Sequence, residues 1–310
     1  MISNYVIYFI YILLFCVGLI VGSFLNVVIL RSEKEEEFIK GPSHCDNCKK
    51  KLKWYELIPL FSYICLGGKC SGCKKKISLM NPVIEFITGG LFVLVFWRFL
   101  QFPFFKIGLA SKFPAVFMVA ILTLLLWLVY TAVLFLISVY DFRNMVVLDT
   151  FLYFGLISSF IGEGLIYLIN NNFINGTINY SLTENYHLFL GNYSSFINPW
   201  FTGIWNNLVG MIIAWGVIQL IVTLSRGRAM GDGDPIIAAF IGLILGVSGS
   251  AVFIVLSFLL GGFYSLILML LRKKTIKQHI AFGPLLALSG MLVFLYGEQI
   301  LNAYFKLLMK

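Results

Sequence analysis

Eight long apolar runs, separated by polar islands, constrain the fold of this chain more than any other feature. The runs cover residues 5–30, 83–100, 115–139, 147–168, 204–224, 235–247, 250–271 and 281–303. A helix needs about 20 apolar residues to cross the hydrocarbon core of a bilayer. The pattern therefore predicts an all-α polytopic membrane protein with about eight transmembrane helices, although the run at 235–247 is as short as a re-entrant segment. The charged content of 12% agrees, since soluble domains carry roughly 25%.

The positive charge is concentrated beside these runs. The formal net charge is +9, and eleven of the 23 Lys and Arg residues fall within 31–76. Basic residues also lie in three further short loops: Arg143 in 141–146, Arg226 and Arg228 in 225–234, and the stretch RKKTIKQH at 272–279. Loops rich in Lys and Arg stay on the cytoplasmic side, so we expect these four loops inside and both termini outside. The basic residues at 98–113 conflict with this orientation. We therefore expect the basic residues to lie beside the lipid bilayer and not to bind a nucleic acid.

The first of these loops contains four of the six cysteines, in two Cys-x2-Cys pairs: Cys45, Cys48, Cys70 and Cys73. Two such pairs can close a tetrahedral thiolate shell around Zn²⁺, and four protein ligands leave no position open for a catalytic water. The alternatives are two disulfides or free cysteines, and a cytoplasmic location disfavours disulfides. We predict a structural zinc module at 31–82, between a first transmembrane helix at 1–30 and a multi-helix membrane core at 83–310.

Two acidic islands lie at the predicted cytoplasmic ends of separate apolar runs. Asp141 stands in SVYDFRNMVVLD, and Asp234 stands with Asp232 in MGDGDP. Ionisable groups at membrane depth are costly and by default indicate a functional site. Each acid alone also has a structural interpretation. Asp234 followed by Pro235 fits a helix start, and Asp141 fits a charge pair with Arg143.

Taken together, Asp141 and Asp234 fit an aspartic protease pair. Two carboxylates in one low-dielectric site hold a single proton between them. The ionised member can take a proton from water while the protonated member donates to a peptide carbonyl. Gly231 and Gly233 have no side chains, which would allow an extended peptide backbone to approach Asp234 closely.

The chain resembles a known family, the bacterial type IV prepilin peptidases, also called leader peptidases with N-methyltransferase activity. The resemblance runs in order through GLIVGSFLNVVILR, the cysteine pairs with KWYELIPLFSYICLGGKC between them, ISLMNPVIEFITG, YDFRNMVVLD, MGDGD and AFGPLLALSG. It implies Asp141 and Asp234 as the catalytic pair, with Asp232 at the variable place of Gly-x-Gly-Asp. The chain departs from the family pattern at four positions, Ser32, Leu57, Gly67 and Leu148.

The resemblance also implies a function at the inner membrane of a bacterium. The family removes the basic leader of prepilins or pseudopilins, the subunits of type IV pili and type II secretion, at the cytoplasmic face. It then methylates the new N-terminal amine with S-adenosylmethionine. We expect the leader to lie near cytoplasmic acids, namely Glu35 to Glu37, Asp149 and Asp232. Asn26 and Glu85 are polar groups within apolar runs and are therefore candidates for the methyl-transfer site, with a helix–helix hydrogen bond as the alternative.

Two other functions fit parts of the sequence. A different Gly-x-Gly-Asp intramembrane protease without methyl transfer would share the aspartates, but the cysteine module argues against it. A proton- or cation-coupled transporter would also need membrane acids. The sequence has no evident inverted repeat and no acid expected at mid-membrane, which disfavours a transporter.

Overall fold

The computed structural model describes residues 4–34, 36, 41, 43–45, 47–101, 114–169, 204–228, 230–271 and 281–308. Regular structure in these ranges is helical, accompanied by two isolated β-bridges, His44 with Lys51 and Lys69 with Lys76. Contacts divide the chain into two compact units, an N-terminal unit, Met1–Phe99, and a C-terminal unit, Leu100–Lys310. The predicted boundaries after residues 30 and 82 separate membrane-spanning segments from a cytoplasmic one. The contacts do not test them, and they stay a prediction.

The N-terminal unit contains three helices, α1 (Asn4–Ser32), α2 (Phe61–Cys65) and α3 (Met80–Phe99), with a 3₁₀ turn at Trp54–Leu57 before α2. Gly18 and Gly22 lie one turn apart on α1 and allow it to approach α3 closely. A Cβ atom on either glycine would lie 2.7 Å from a Cα atom of α3. Such small-xxx-small packing brings apolar helices together in membranes, where burial from water drives no association.

The C-terminal unit contains five helices, α4 (Pro114–Asn144), α5 (Asp149–Ile169), α6 (Ile204–Ser225), α7 (Asp234–Leu270) and α8 (Gly283–Leu308). Its most extensive interface joins α6 to α7. A Cβ atom at Gly242 of α7 would lie 2.6 Å from the carbonyl oxygen of Gly210 of α6, so only a glycine fits there. Helix α7 also packs against α8, and α4 packs against α5 and α8.

The sixth and seventh predicted runs form one helix, α7, with no loop between them. This helix is interrupted at Gly246, whose backbone has φ 67° and ψ −172°. Polar side chains pair with backbone groups at the break. Oδ1 of Asn206 accepts the N–H of Val247 at 3.2 Å, and the Ser250 hydroxyl donates to the Gly246 carbonyl at 2.6 Å. Such internal pairing makes a helix break tolerable in lipid. The short sixth run is thus the first part of a longer helix.

Five of the described helices are long and apolar enough to cross a membrane: α1, α3, α4, α6 and α7. Two shorter apolar segments accompany them, Asp149–Gly162 in α5 and Gly283–Gly297 in α8. Their exposed faces carry large apolar side chains, among them Phe9, Ile12, Leu125, Phe160 and Leu259. The predicted all-α polytopic membrane fold is confirmed. The side on which each loop and terminus lies stays a prediction, and residues 102–113, 170–203 and 272–280 lie outside the described ranges.

Candidate functional site

The two predicted catalytic acids lie close together in the C-terminal unit. Asp141 is in the last turn of α4, and Asp234 is the first residue of α7. Each is only 5% exposed, and Gly283 lies against both segments: its Cβ atom would be 2.5 Å from Oδ2 of Asp141 and 3.2 Å from Cδ1 of Ile237, three residues after Asp234. Two buried carboxylates that feel each other's charge cannot both ionise freely, so the arrangement favours one shared proton.

Each carboxylate accepts a backbone N–H from a glycine outside its own helix. Gly231 donates to Oδ2 of Asp234 at 2.9 Å, and Gly283, at the start of α8, donates to Asp141. No side chain fits at Gly283, because its Cβ atom would lie 2.5 Å from Oδ2 of Asp141. Sequence reasoning did not select Gly283 as a site residue. Its only signal is the Gly-Pro dipeptide at the start of the last apolar run.

The two predicted support glycines beside Asp234 have different surroundings. A Cβ atom at Gly233 would lie 2.6 Å from Cγ2 of Val147, so Gly233 makes room for the segment between α4 and α5. A Cβ atom at Gly231 would lie at an ordinary 3.8 Å from the Asp234 carboxylate. Gly233 is also the N-cap of α7. Asp234 is therefore inside the helix and is not its N-cap.

Three of the five acids expected near a basic leader lie within the described ranges. Asp149 begins α5, Asp232 precedes α7, and both are exposed. The contact that a Cβ at Gly233 would make with Val147 shows that the segments carrying these two acids lie side by side. Glu36 is exposed in the N-terminal unit, and the other two acids of that group lie outside the described residues, namely Glu35 and Glu37.

The four predicted metal ligands come together in the N-terminal unit, held by two turns of the same form. The N–H of Lys49 donates to the Cys45 carbonyl at 2.9 Å, and the N–H of Lys74 donates to the Cys70 carbonyl at 3.0 Å. Lys49 and Lys74 both have left-handed backbones, with φ 56° and 58°. Each Cys-x2-Cys pair with its turn is called a knuckle below. The repeated geometry means that each knuckle sets its own two sulfur positions locally.

The spacing of the sulfur atoms fits a tetrahedral metal site. All four Sγ atoms lie within 4.8 Å of one another. The Cys45–Cys73 and Cys48–Cys70 pairs, each with one sulfur from each knuckle, are 3.9 Å apart. Zn–S bonds of about 2.3 Å place tetrahedral sulfurs about 3.8 Å apart. All six cysteines of the chain are free thiols, so the four can act as ligands and the disulfide alternative is not what the structure contains.

The thiols differ in how readily they ionise. The backbone N–H of Lys75 contributes most to lowering the pKa of Cys73 to about 6. The N–H of Lys50 acts in the same direction on Cys48, but burial and the neighbouring thiols raise the pKa of Cys48 to about 11. Such a cluster could hold a divalent cation, which would stabilise all four sulfurs as thiolates.

A cavity of about 540 Å³ lies beside the cysteines within the N-terminal unit. Helices α1 and α3 contribute Asn26 and Glu85 to its wall, and the cysteine-rich loop contributes Glu56, Cys45 and Cys70. Pockets for small organic ligands typically measure roughly 300 to 1,000 Å³. The two methyl-transfer candidates therefore line one cavity of a suitable size.

Asn26 and Glu85 also hold the walls of this cavity together. Nδ2 of Asn26 donates to the Asn81 carbonyl at 2.9 Å, which is the helix–helix bond of the alternative interpretation. Oε2 of Glu85 accepts the N–H of Leu60 at 2.8 Å. Leu60 is the N-cap of α2 and has a φ of 57°, a strained conformation for leucine. Glu85 thus holds the turn from which α2 begins.

Comparison with known proteins finds relatives that match nearly the whole chain. Residues 16–99 match the family model of the bacterial peptidase A24 N-terminal domain. The prepilin leader peptidase/N-methyltransferase of Bacillus subtilis (strain 168) is 27% identical over 296 residues, 95% of this chain and 98% of the relative. The protein of the same name from Neisseria gonorrhoeae is 26% identical over 310 residues, 92% of this chain and 90% of the relative. The chain is thus similar over nearly its whole length to proteins named prepilin leader peptidase/N-methyltransferase.

The similarity to these relatives is uneven along the chain. The relative from Myxococcus xanthus (strain DK1622) is 45% identical over 86 residues, only 28% of this chain and 26% of the relative. The A24 N-terminal match contains all four clustered cysteines, Asn26 and Glu85. The relatives are named as enzymes, which confirms the prediction of an enzyme. No solved structure matches the chain.

Proposed function

We propose that this chain is an aspartyl endopeptidase that removes the basic leader from prepilins or pseudopilins at the cytoplasmic face of the inner membrane. Asp141 and Asp234 form its catalytic pair. The burial of these two carboxylates, from α4 and α7, on either side of Gly283 supports the proposal most directly. The name shared by the relatives supplies the substrate class.

The pair cleaves the peptide bond by general acid–base catalysis. The ionised carboxylate takes a proton from water as the oxygen adds to the peptide carbonyl, and the protonated carboxyl donates to the carbonyl oxygen. The tetrahedral intermediate then breaks its C–N bond: one carboxyl gives its proton to the leaving amine, and the other carboxylate takes a proton from a hydroxyl of the intermediate, which restores the single shared proton. The N–H groups of Gly231 and Gly283 hold the carboxylates in position before the substrate binds.

Charge supports a basic segment as the part of the substrate that is recognised. Asp149 and Asp232 are exposed acids on adjoining segments of the C-terminal unit. A leader rich in Lys or Arg would lie beside them, and charge complementarity of this kind gives specificity more than affinity. Cleavage that is unaffected by Asp149→Asn combined with Asp232→Asn would remove this part of the proposal.

The cavity of the N-terminal unit is the proposed site of methyl transfer to the new N-terminal amine. S-adenosylmethionine, when bound, supplies an electrophilic methyl group. This ligand carries charges of both signs, and the cavity wall offers Arg31 and Lys75 as well as Glu56 and Glu85. Asn26 and Glu85 keep α1, α3 and α2 in place around it through the bonds described above.

Zinc is the ion that we assign to Cys45, Cys48, Cys70 and Cys73. Four thiolates with the observed spacing suit its tetrahedral geometry, and a filled shell leaves no position for catalysis. The ion would fix the loop wall of the cavity, since a loop of this size has little core of its own. Its role is therefore structural.

The test of the proposed function is co-expression with a prepilin-type substrate, followed by mass measurement of the product. Wild-type protein should remove the leader and add about 14 Da to the mature chain, the mass gained when methyl replaces hydrogen. Asp141→Asn and Asp234→Asn should each leave the leader in place, whereas Asp232→Asn should still permit cleavage. Complete leader removal by Asp141→Asn or Asp234→Asn would refute the catalytic pair.

A Gly-x-Gly-Asp protease without methyl transfer is a second candidate. The departures from the family pattern at Ser32, Leu57 and Gly67 favour it, because they fall in the part of the chain associated with methylation. Leader removal without the gain of about 14 Da would select this function.

A further inference from the structure

Glu56 is a buried acid in the 3₁₀ turn at Trp54–Leu57, between the two knuckles. Its side chain is 2% exposed. Glutamate is almost never buried to this degree unless its charge is paired and hydrogen-bonded. Glu56 is not one of the four ligands, and the proposed cleavage does not use it.

The hydrogen bonds of Glu56 reach both knuckles. Its Oε2 accepts the N–H of Lys53 at 2.7 Å within the turn. Its Oε1 accepts the hydroxyl of Ser71, which lies inside the second Cys-x2-Cys pair. The same oxygen is 3.4 Å from Nζ of Lys50, two residues after the first pair. Lys50 also donates to Ser71 at 2.6 Å, so the three side chains form one closed network.

We propose that Glu56 is a positioning residue for the metal: through Ser71 and Lys50 it ties the two knuckles together at the spacing that one tetrahedral ion requires. Each knuckle fixes only its own two sulfurs. The distance between the knuckles needs a link that crosses from one to the other. The Glu56–Ser71–Lys50 network provides a buried link of this kind, in addition to the exposed bond from Nζ of Lys75 to Oδ1 of Asn47 at 3.0 Å. The proposal rests on the zinc site proposed above.

Two further observations support this role. The stem of Lys50 lies over the second knuckle, where a Cβ atom at Gly72 would be 3.1 Å from Cδ of Lys50 and 3.6 Å from Sγ of Cys48. The N–H of Lys53, followed by the Ser71 hydroxyl and then Lys50, lowers the pKa of Glu56 to about 2, so it is ionised at neutral pH. Partners beyond the ligand shell typically change metal affinity by roughly 10- to 100-fold when they are removed.

A simpler role for Glu56 is to cap its own 3₁₀ turn, and this role uses only Oε2. The two roles are separable because Oε1 alone reaches the second knuckle. Ser71→Ala removes the crossing hydrogen bond and leaves the cap intact. Glu56→Gln keeps an oxygen that can accept the N–H of Lys53. Its amide NH₂ group would then face the Ser71 hydroxyl and Nζ of Lys50, which are themselves donors. Lys53→Met is a matched control, since its side chain is exposed beside the Tyr55 ring and its backbone N–H is retained.

The test measures zinc dissociation from the purified full-length protein in detergent, with a colorimetric chelator present in excess, and zinc affinity by competition. Glu56→Gln and Ser71→Ala should weaken zinc binding by roughly 10-fold or more, and Lys53→Met should stay within about twofold of wild type. If Glu56→Gln does not fold, Ser71→Ala decides alone. Wild-type affinity in Ser71→Ala, or a wild-type protein that holds no zinc, overturns the proposal.

Leader cleavage and methylation are measured on the same samples. Absence of both activities in a wild-type protein that shows the expected zinc behaviour would refute the proposed enzyme function and support the role of Glu56. Full activity together with unchanged zinc binding in Ser71→Ala would refute the role of Glu56 and leave the enzyme function supported.

Discussion

The cysteine cluster and the aspartate pair are held in opposite ways. The backbone turns that close on Cys45 and Cys70 each span a few residues, so the chain itself sets the sulfur positions within a knuckle. Asp141 and Asp234 lie on different helices and meet because the helices of the C-terminal unit pack together. The cysteine site should therefore depend on its ion, and the aspartate site on the exact packing of helix ends.

The largest expected difference between the two sites comes from loss of the metal. Cys70→Ser removes a buried ligand and should lower zinc affinity by more than roughly 100-fold, since a ligand matters more than its outer-shell partners. Methylation should be lost, and the rate of leader cleavage should change less than about twofold. Metal analysis and the two activity assays measure these outcomes.

The control for this variant is Cys65→Ser, an exposed cysteine outside the cluster, which should behave as wild type. An equal loss of cleavage and methylation in Cys70→Ser would contradict the assignment of the two activities to different sites.

Crowding the aspartate site should have the next largest effect. Gly283→Ala places a methyl group 2.5 Å from Oδ2 of Asp141, so the carboxylate or α8 must move. A displacement of about 1 Å costs on the order of 100-fold in rate, and cleavage should fall by that amount while zinc content stays unchanged. Gly262→Ala in α7 is the control, because nothing lies within 4 Å of the added atom. Equal cleavage rates for the two variants would show that Gly283 does not position Asp141.

A smaller effect is expected in the cavity wall. Glu85→Ala leaves the N–H of Leu60 without its acceptor, at a cost of roughly 1 to 3 kcal/mol, and methylation should fall about 10-fold. Glu85→Gln retains an acceptor oxygen and should restore most of the activity. The methylation rate on a pre-cleaved substrate, with leader removal measured in parallel, distinguishes the two variants. A loss in Glu85→Gln as large as in Glu85→Ala would indicate that the charge matters, not the hydrogen bond.

The smallest effect is expected at Gly231. The Gly231→Ala variant keeps the N–H that Asp234 accepts and adds an atom 3.8 Å from its carboxylate, an ordinary contact. The cleavage rate should change less than about threefold. Gly233→Ala, which meets Val147 at 2.6 Å, should lose more activity. If Gly231→Ala lost more cleavage activity than Gly233→Ala, the space that matters would be at Gly231 and not at Gly233.

The sequence singled out both the cysteines and the aspartates, but it predicted the geometry of only the cysteine cluster. A Cys-x2-Cys pair is a local unit, so its spacing already implies sulfur atoms that converge on one ion. The aspartates are 93 positions apart, from 234 − 141, and their approach depends on packing that no local pattern encodes. For the same reason Gly283 was not selected, because its contact with Asp141 exists only after α8 docks beside α4.

The helices themselves followed from the apolar runs, with one instructive difference. Polar residues near 246 to 250 divide the sixth run from the seventh in the sequence. In the structure they mark a break within α7, because Asn206 of α6 and Ser250 satisfy the backbone groups there. Runs of hydropathy locate helices, but only side chains from a neighbouring helix decide whether a polar gap is a loop or a break.

The most direct test of the catalytic pair is the leader-cleavage rate of the double variant, Asp141→Asn with Asp234→Asn, compared with each single variant. Residues that act as one unit are strongly non-additive. Each single variant should lose roughly 1,000-fold or more in cleavage rate, and the double variant should fall no further than about threefold below the slower of them. A double variant that falls by the product of the two single losses, or a single variant that cleaves at the wild-type rate, would contradict a proton-sharing pair.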